Sequence, residues 1–239
     1  MTTTTRLRPN WIVATRTLIE AHLRVAVWLW GVLVLLLITA HILMSGIIPT
    51  RVLVAPYGTH ASTWFAFSLA LIFVLAYLPV HVLSGMTRRA FIRANVLTAL
   101  IMGVLYGAAL YLLAVLEALV FPDAAMLLED GPMLGSGATW GMFVGQWLLS
   151  TTAIICGLLV AMAYYRTSAL LGTVLLIPTV GPVLVVIALT ASDAPIQAWL
   201  GLPTGAGWAV AFALIVVATG AFAFHLVTRN VPINSVESS

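Results

Sequence analysis

The sequence predicts an all-α integral membrane protein with six transmembrane helices and both termini in the cytoplasm, and three observations carry that prediction. The chain is 62% hydrophobic with a mean hydropathy of +1.13, against the roughly 45–50% apolar content of a soluble domain. Its apolar residues fall in blocks of about 20, which at about 1.5 Å per residue match the roughly 30 Å hydrocarbon core of a bilayer. The alternating ten-residue segments of a membrane β-barrel are not visible. Charged residues make up only 7% of the chain and lie mostly between the blocks.

Residues 1–24 read as a cytoplasmic tail and an amphipathic interfacial helix. The first nine are Thr-rich with Arg6 and Arg8; from 10 to 24, Trp11, Ile12, Leu18, Ile19 and Leu23 share one broad face, while Arg16, Glu20 and Arg24 follow one another at i, i+4 on another. The first span, 25–44, is too long for a signal-peptide core, and no A-x-A-like cleavage site follows it. A loop with Gly46, Pro49, Arg51, Pro56 and Gly58 leads to the second span, 63–83. The polar stretch 84–93 comes next, then a third span, 94–121, long enough to tilt or project past the bilayer.

Residues 122–139, with Asp123, Glu129 and Asp130, form an external loop before the fourth span, 140–163. A short turn at 164–168 returns the chain into a fifth span, 169–191, where Pro178, Gly181 and Pro182 are expected to kink or break the helix. The stretch 192–207 is too apolar for a plain loop and too interrupted to span, so it reads as a re-entrant segment with a short helix at 196–200, anchored by Trp199 and Trp208. The sixth span, 208–227, closes a transmembrane domain of residues 25–229, and a cytoplasmic tail occupies 230–239.

Arginine placement tests this layout. Arg6, Arg8, Arg16, Arg24, Arg88, Arg89, Arg93, Arg166 and Arg229 fall inside and only Arg51 outside, the asymmetry expected of cytoplasmic loops. The same arginines account for the net charge of +3 and a pI near 9.4, which therefore do not indicate a nucleic-acid partner. No lysine is present, which removes P-loop ATP binding and retinal Schiff-base chemistry from this chain. Cys156 is the single cysteine, too few for a disulfide or a cysteine-based metal motif, and its apolar setting makes it a packing residue.

The stretch Ser84-Gly85-Met86-Thr87-Arg88-Arg89-Ala90-Phe91-Ile92-Arg93 holds three arginines within six positions. Arginine in hydrocarbon costs several kcal/mol, so this island belongs in water at a membrane face. On its residues alone it serves equally as a topology signal or as a docking element, a short helix crossing the end of the bundle and presenting Thr87, Arg88 and Arg89 to acidic pockets of a soluble partner. The order Gly85-Met86-Thr87-Arg88-Arg89-Ala90-Phe91, between two apolar spans, resembles the Gly-x-Ser/Thr-Arg-Arg/Lys-x-Phe segment of type-2 ABC exporter permeases. The resemblance extends to the whole layout of interfacial helix, six spans and re-entrant segment, but no large outer domain is present to indicate a substrate.

In that family the segment lies at the coupling helix that contacts the ATPase subunit. The resemblance therefore implies an ATPase-binding role for Gly85, Met86, Thr87, Arg88, Arg89, Phe91 and Arg93, a second permease copy or paralogue, and two separately encoded ATPase subunits carrying the ATP and Mg. The chain itself is then expected to be no enzyme and to hold no cofactor or metal. It is expected to act in multidrug or antibiotic export in the plasma (inner) membrane of a bacterium, and the apolar interior suits an amphipathic drug, peptide or lipid as cargo.

Two polar residues inside spans are candidates for the translocation path: Glu117 in the outer part of the third span, and Gln146, which shares a face of the fourth with Ser150. For Glu117 the alternative is hydration near the outer interface or pairing with Arg51. Ala99, Gly103 and Gly107 make a small-residue ridge for helix packing, as do Gly141 and Gly145. A rival reading is a non-transporting anchor of a redox or enzyme complex, in which two of His41, His60, His81 and His225 on different helices could ligate a b-type haem; the alternative for each, near a span end, is a polar interfacial residue. A third is a channel or scramblase that works without ATP. No nucleophile–base pair, His-x-x-His or His-Glu-x-x-His spacing points to catalysis or a metal.

Overall fold

The computed structural model describes residues 10–44, 55–120, 140–190 and 206–229, and these lie in helices or in the short turns between them. The helices are α1 (Asn10–Met44), α2 (Ala55–Leu83), α3 (Arg88–Val120), α4 (Trp140–Arg166), α5 (Ala169–Val174), α6 (Leu176–Thr190) and α7 (Ala206–Arg229). Among the described residues, six segments are long and apolar enough to cross a membrane, with α5 and α6 together forming one of them. The chain is multi-pass by length and composition, as its hydropathy predicts.

Helix α4 is the centre of the bundle. In its spanning window 83% of residues are buried, against 39% for α2 and α3, 22% for α7 and 17% for α1 and for α5–α6. Lipid tails are as apolar as leucine, so burial in a membrane bundle depends on close backbone approach and hydrogen bonds. Small residues supply that approach here. Gly157 lies against the Phe67 carbonyl of α2 so closely that a β-carbon has no room. On the other side, Gly103 and Gly107 of α3 seat onto α4, where added β-carbons meet Trp147 O and Phe143 O at 3.0 Å. Around these contacts Phe91, Met102, Tyr106, Ile154, Met162 and Phe224 form the main core.

Three contacts fix the directions of the helices. Ala14 and Leu18 of α1 pack on Ala94 of α3, and farther along the Trp30 and Tyr106 rings lie 6.2 Å apart, so α1 and α3 run parallel. Arg88 at the start of α3 donates to Arg229 O at the end of α7 (3.3 Å), and Arg166 at the end of α4 donates to Val227 O (2.7 Å). The beginnings of α1 and α3 and the ends of α2, α4 and α7 therefore gather at one end of the bundle, called here the arginine end.

One expectation is corrected and another is met. The amphipathic stretch 10–24 is not a separate helix: α1 continues through it without a break for 35 residues, about 52 Å. Its first turns pack through Ala14 and Leu18 against α3, with Tyr77 and Met86 alongside. The expected i, i+4 pairing is present, with Arg16 Nε donating to Glu20 Oε1 at 2.6 Å on the exposed side. The fifth span breaks at Leu175, as its prolines predict: Pro178 has no N–H for the carbonyl of Val174, four residues earlier, where α5 ends. Pro178 falls in the first turn of α6, where no backbone donor is needed; Pro182 lies inside α6. The segment 192–205, the loops 45–54 and 121–139, and the tails 1–9 and 230–239 lie outside the described residues.

Candidate functional site

The site is built on the turn from α2 to α3. Helix α2 ends in a Schellman arrangement: Met86 N donates to His81 O and Gly85 N to Val82 O, both at 3.0 Å, with Gly85 in the left-handed region at φ 79°. Glycine is the residue that takes this conformation without strain. Two residues on, the Thr87 hydroxyl accepts from Ala90 N (3.2 Å) and caps α3. One helix thus stops and the next starts within four residues. The crosswise short helix expected at 84–93 is absent for this reason; Arg88, Arg89 and Arg93 belong to the first turns of α3 itself.

The side chains of the island divide into two groups. Thr87, Arg89 and Arg93 are exposed, and Arg89 and Arg93, four apart, project on one face. Phe91 is 1% exposed and sits in the core, its ring 5.2 Å from that of His81. Met86 is half-buried against α1 and α3. Arg88 is half-buried and turned onto the last carbonyl of α7. Phe91, Met86 and Arg88 hold the turn in place, and Gly85, Thr87, Arg89 and Arg93 form its accessible surface.

The charge at this end is unbalanced. Arg16, Arg88, Arg89, Arg93, Arg166 and Arg229 gather there, and among the described residues Glu20, already paired with Arg16, is the one carboxylate beside them. Such a surface attracts anionic groups over a distance set by salt, about 8 Å at physiological ionic strength.

The two path candidates are not brought together. Gln146 is 4% exposed and faces α2, donating from Nε2 to Ser62 Oγ (3.1 Å) and to Ser150 Oγ on its own helix (3.0 Å), with Thr63 Oγ1 at 3.5 Å. Ser62 and Thr63 hydroxyls in turn donate to Thr59 O. This is a satisfied knot between α2 and α4, inside the bundle. Glu117 is also buried, far along α3 from the arginine end, and is not a free carboxylate.

Several residues that matter here carried no distinct sequence signal. Arg166 and Arg229 read only as topology charges, yet Arg166, with Arg88, ties its helix to the end of α7. Ser62 and Thr63 were hidden within an apolar run, although Thr59, Ser62 and Thr63 share a helix face. Of the histidines, His81 is buried with Nδ1 2.8 Å from Tyr77 O, and His22, absent from the sequence reading, is buried edge-on to Phe73. His60 is exposed and His225 half-buried. Among the described residues no three His, Cys, Asp or Glu side chains cluster as a metal site.

No known protein family, curated protein or solved structure matches this chain.

Proposed function

We propose that this chain is the transmembrane permease subunit of an ATP-driven ABC exporter in a bacterial plasma membrane. The arginine end faces the cytoplasm, following the excess of arginine over acid there. One observation carries the docking part of the reading: the segment that resembles the coupling region forms a rigid turn whose Thr87, Arg89 and Arg93 are accessible while Phe91 and Met86 anchor it. A surface of that kind transmits force. An ATPase subunit pressing on it moves α2 and α3 together, because the Schellman turn and the Thr87 cap leave no slack between them.

Two ATPase subunits and a second permease, identical or related, complete the transporter, and the path for an amphipathic cargo lies between the two permeases. In this arrangement Gln146 stabilises the bundle from within, and Glu117 is the remaining candidate for contact with cargo.

Affinity purification of the tagged chain from its native membrane tests the proposal. A soluble protein with a Walker-A lysine recovered at near-equal stoichiometry is the expected result. Recovery of redox or enzyme subunits with a coloured sample overturns it in favour of a membrane anchor.

A further inference from the structure

Helix α7 presents one continuous exposed stripe. Trp208, Ile215, Phe222 and Leu226 follow one another at spacings of seven or four and are all exposed, and the stripe ends three residues later in exposed Arg229. It is an acyl-chain surface that terminates in a guanidinium at headgroup level. Two further guanidiniums converge on the same last turn from other helices, Arg166 on Val227 O and Arg88 on Arg229 O. The carbonyls of a helix C-terminus offset only about half a unit charge, so three guanidiniums there remain mostly uncompensated. Each guanidinium carries five donors in a fork suited to phosphate, and the bond to α7 occupies one Nη of Arg88 and one of Arg166. Next to Arg166, the start of α5 adds exposed Leu170, Leu171 and Val174.

We propose that an anionic phospholipid binds at this corner, with its phosphate among Arg166, Arg229 and Arg88 and its acyl chains along Leu226 and Phe222. The site is separate from the ATPase-docking surface, which rests on Arg89 and Arg93, and it stands whether or not that docking reading holds. The lipid would clamp the ends of α3, α4 and α7 by bridging side chains from all three.

The test uses the full chain, delipidated in a neutral detergent and offered dioleoylphosphatidylglycerol or dioleoylphosphatidylcholine, with bound lipid counted by native mass spectrometry. The wild type is expected to prefer the anionic lipid, and the R166Q/R229Q variant to lose about fivefold of that preference for each arginine removed. R166K/R229K, which keeps the charge, should retain most of it, and R24Q, on exposed α1, should keep it all. Preference in the wild type should also fall on raising salt from about 50 mM to about 500 mM. Five results overturn the proposal: equal binding of both lipids, a preference in the wild type unchanged by salt, unchanged preference in R166Q/R229Q, an equal loss in R24Q, or displacement of the lipid by inorganic phosphate at the same concentration. The salt titration needs no variant, so a failure of R166Q/R229Q to fold leaves the proposal open to refutation.

Discussion

Replacing Gln146 by Met removes the amide that joins α2 to α4 while keeping the length and most of the volume of the side chain. Of its two shorter hydrogen bonds, the one to Ser62 Oγ crosses between helices and the one to Ser150 Oγ stays within α4. Interhelical hydrogen bonds in membrane proteins contribute about 0.6 kcal/mol on average and about 1.7 kcal/mol at most. Gln146→Met should therefore cost about 1 kcal/mol, with about 0.6 kcal/mol of it belonging to the Gln146–Ser62 pair. Reversible unfolding in mixed micelles titrated with SDS, applied to the wild type, Q146M, S62A and the double variant, isolates that pair. Ser62→Ala also deletes the bond to Thr59 O at 3.1 Å, but this lies within α2 and cancels in the cycle. A coupling energy below about 0.3 kcal/mol, the usual error of additivity, refutes the reasoning. Unchanged stability together with impaired export would return Gln146 to the translocation path.

The same unfolding assay reads three further predictions. Gly157→Ala should cost about 1–3 kcal/mol, because its methyl group meets the Phe67 backbone, whereas Gly31→Ala, with nothing within 4 Å, should be neutral or stabilising by up to about 1 kcal/mol. Phe91→Ala should cost about 3 kcal/mol as a buried core residue, while Arg89→Glu, exposed on the neighbouring turn, should stay within about 0.5 kcal/mol of wild type. Gly85→Ala has space for its methyl group but not the backbone freedom for φ 79°, so it should cost about 1 kcal/mol, and Gly85→Asn less.

Hydropathy alone revealed the spanning helices, because block length against bilayer thickness is a strong constraint that needs no partner information. What it missed were joints and pairings. No glycine or proline separates Leu23 from Trp28, so α1 has no reason to break where its charges end, and tertiary contacts at Ala14 and Leu18 hold the amphipathic stretch in line with the span. The prolines of the fifth span did signal its break, which falls at Leu175 because a proline disturbs the turn before it and not its own position.

The candidate site was legible as a motif and not as a shape. Gly85 and Thr87 stand where a helix stop and a helix start require them, so part of the motif has a purely local explanation. Which arginines stay accessible depends on where α7 ends, 141 residues away from Arg88 in sequence. The Gln146–Ser62 pair is likewise a long-range match, 84 residues apart, which periodicity within either helix cannot signal.

Docking of a separate ATPase on exposed Arg89 and Arg93 is a proposal that co-purification can decide. The most direct measurement is the amount of ATPase subunit recovered with equal quantities of tagged wild type, R89E/R93E and R166Q/R229Q from the same membranes. The account predicts near-equal stoichiometry with wild type and R166Q/R229Q, and loss of the ATPase from R89E/R93E while membrane insertion is unchanged. Full recovery of the ATPase with R89E/R93E, or no ATPase with any of the three, would contradict it.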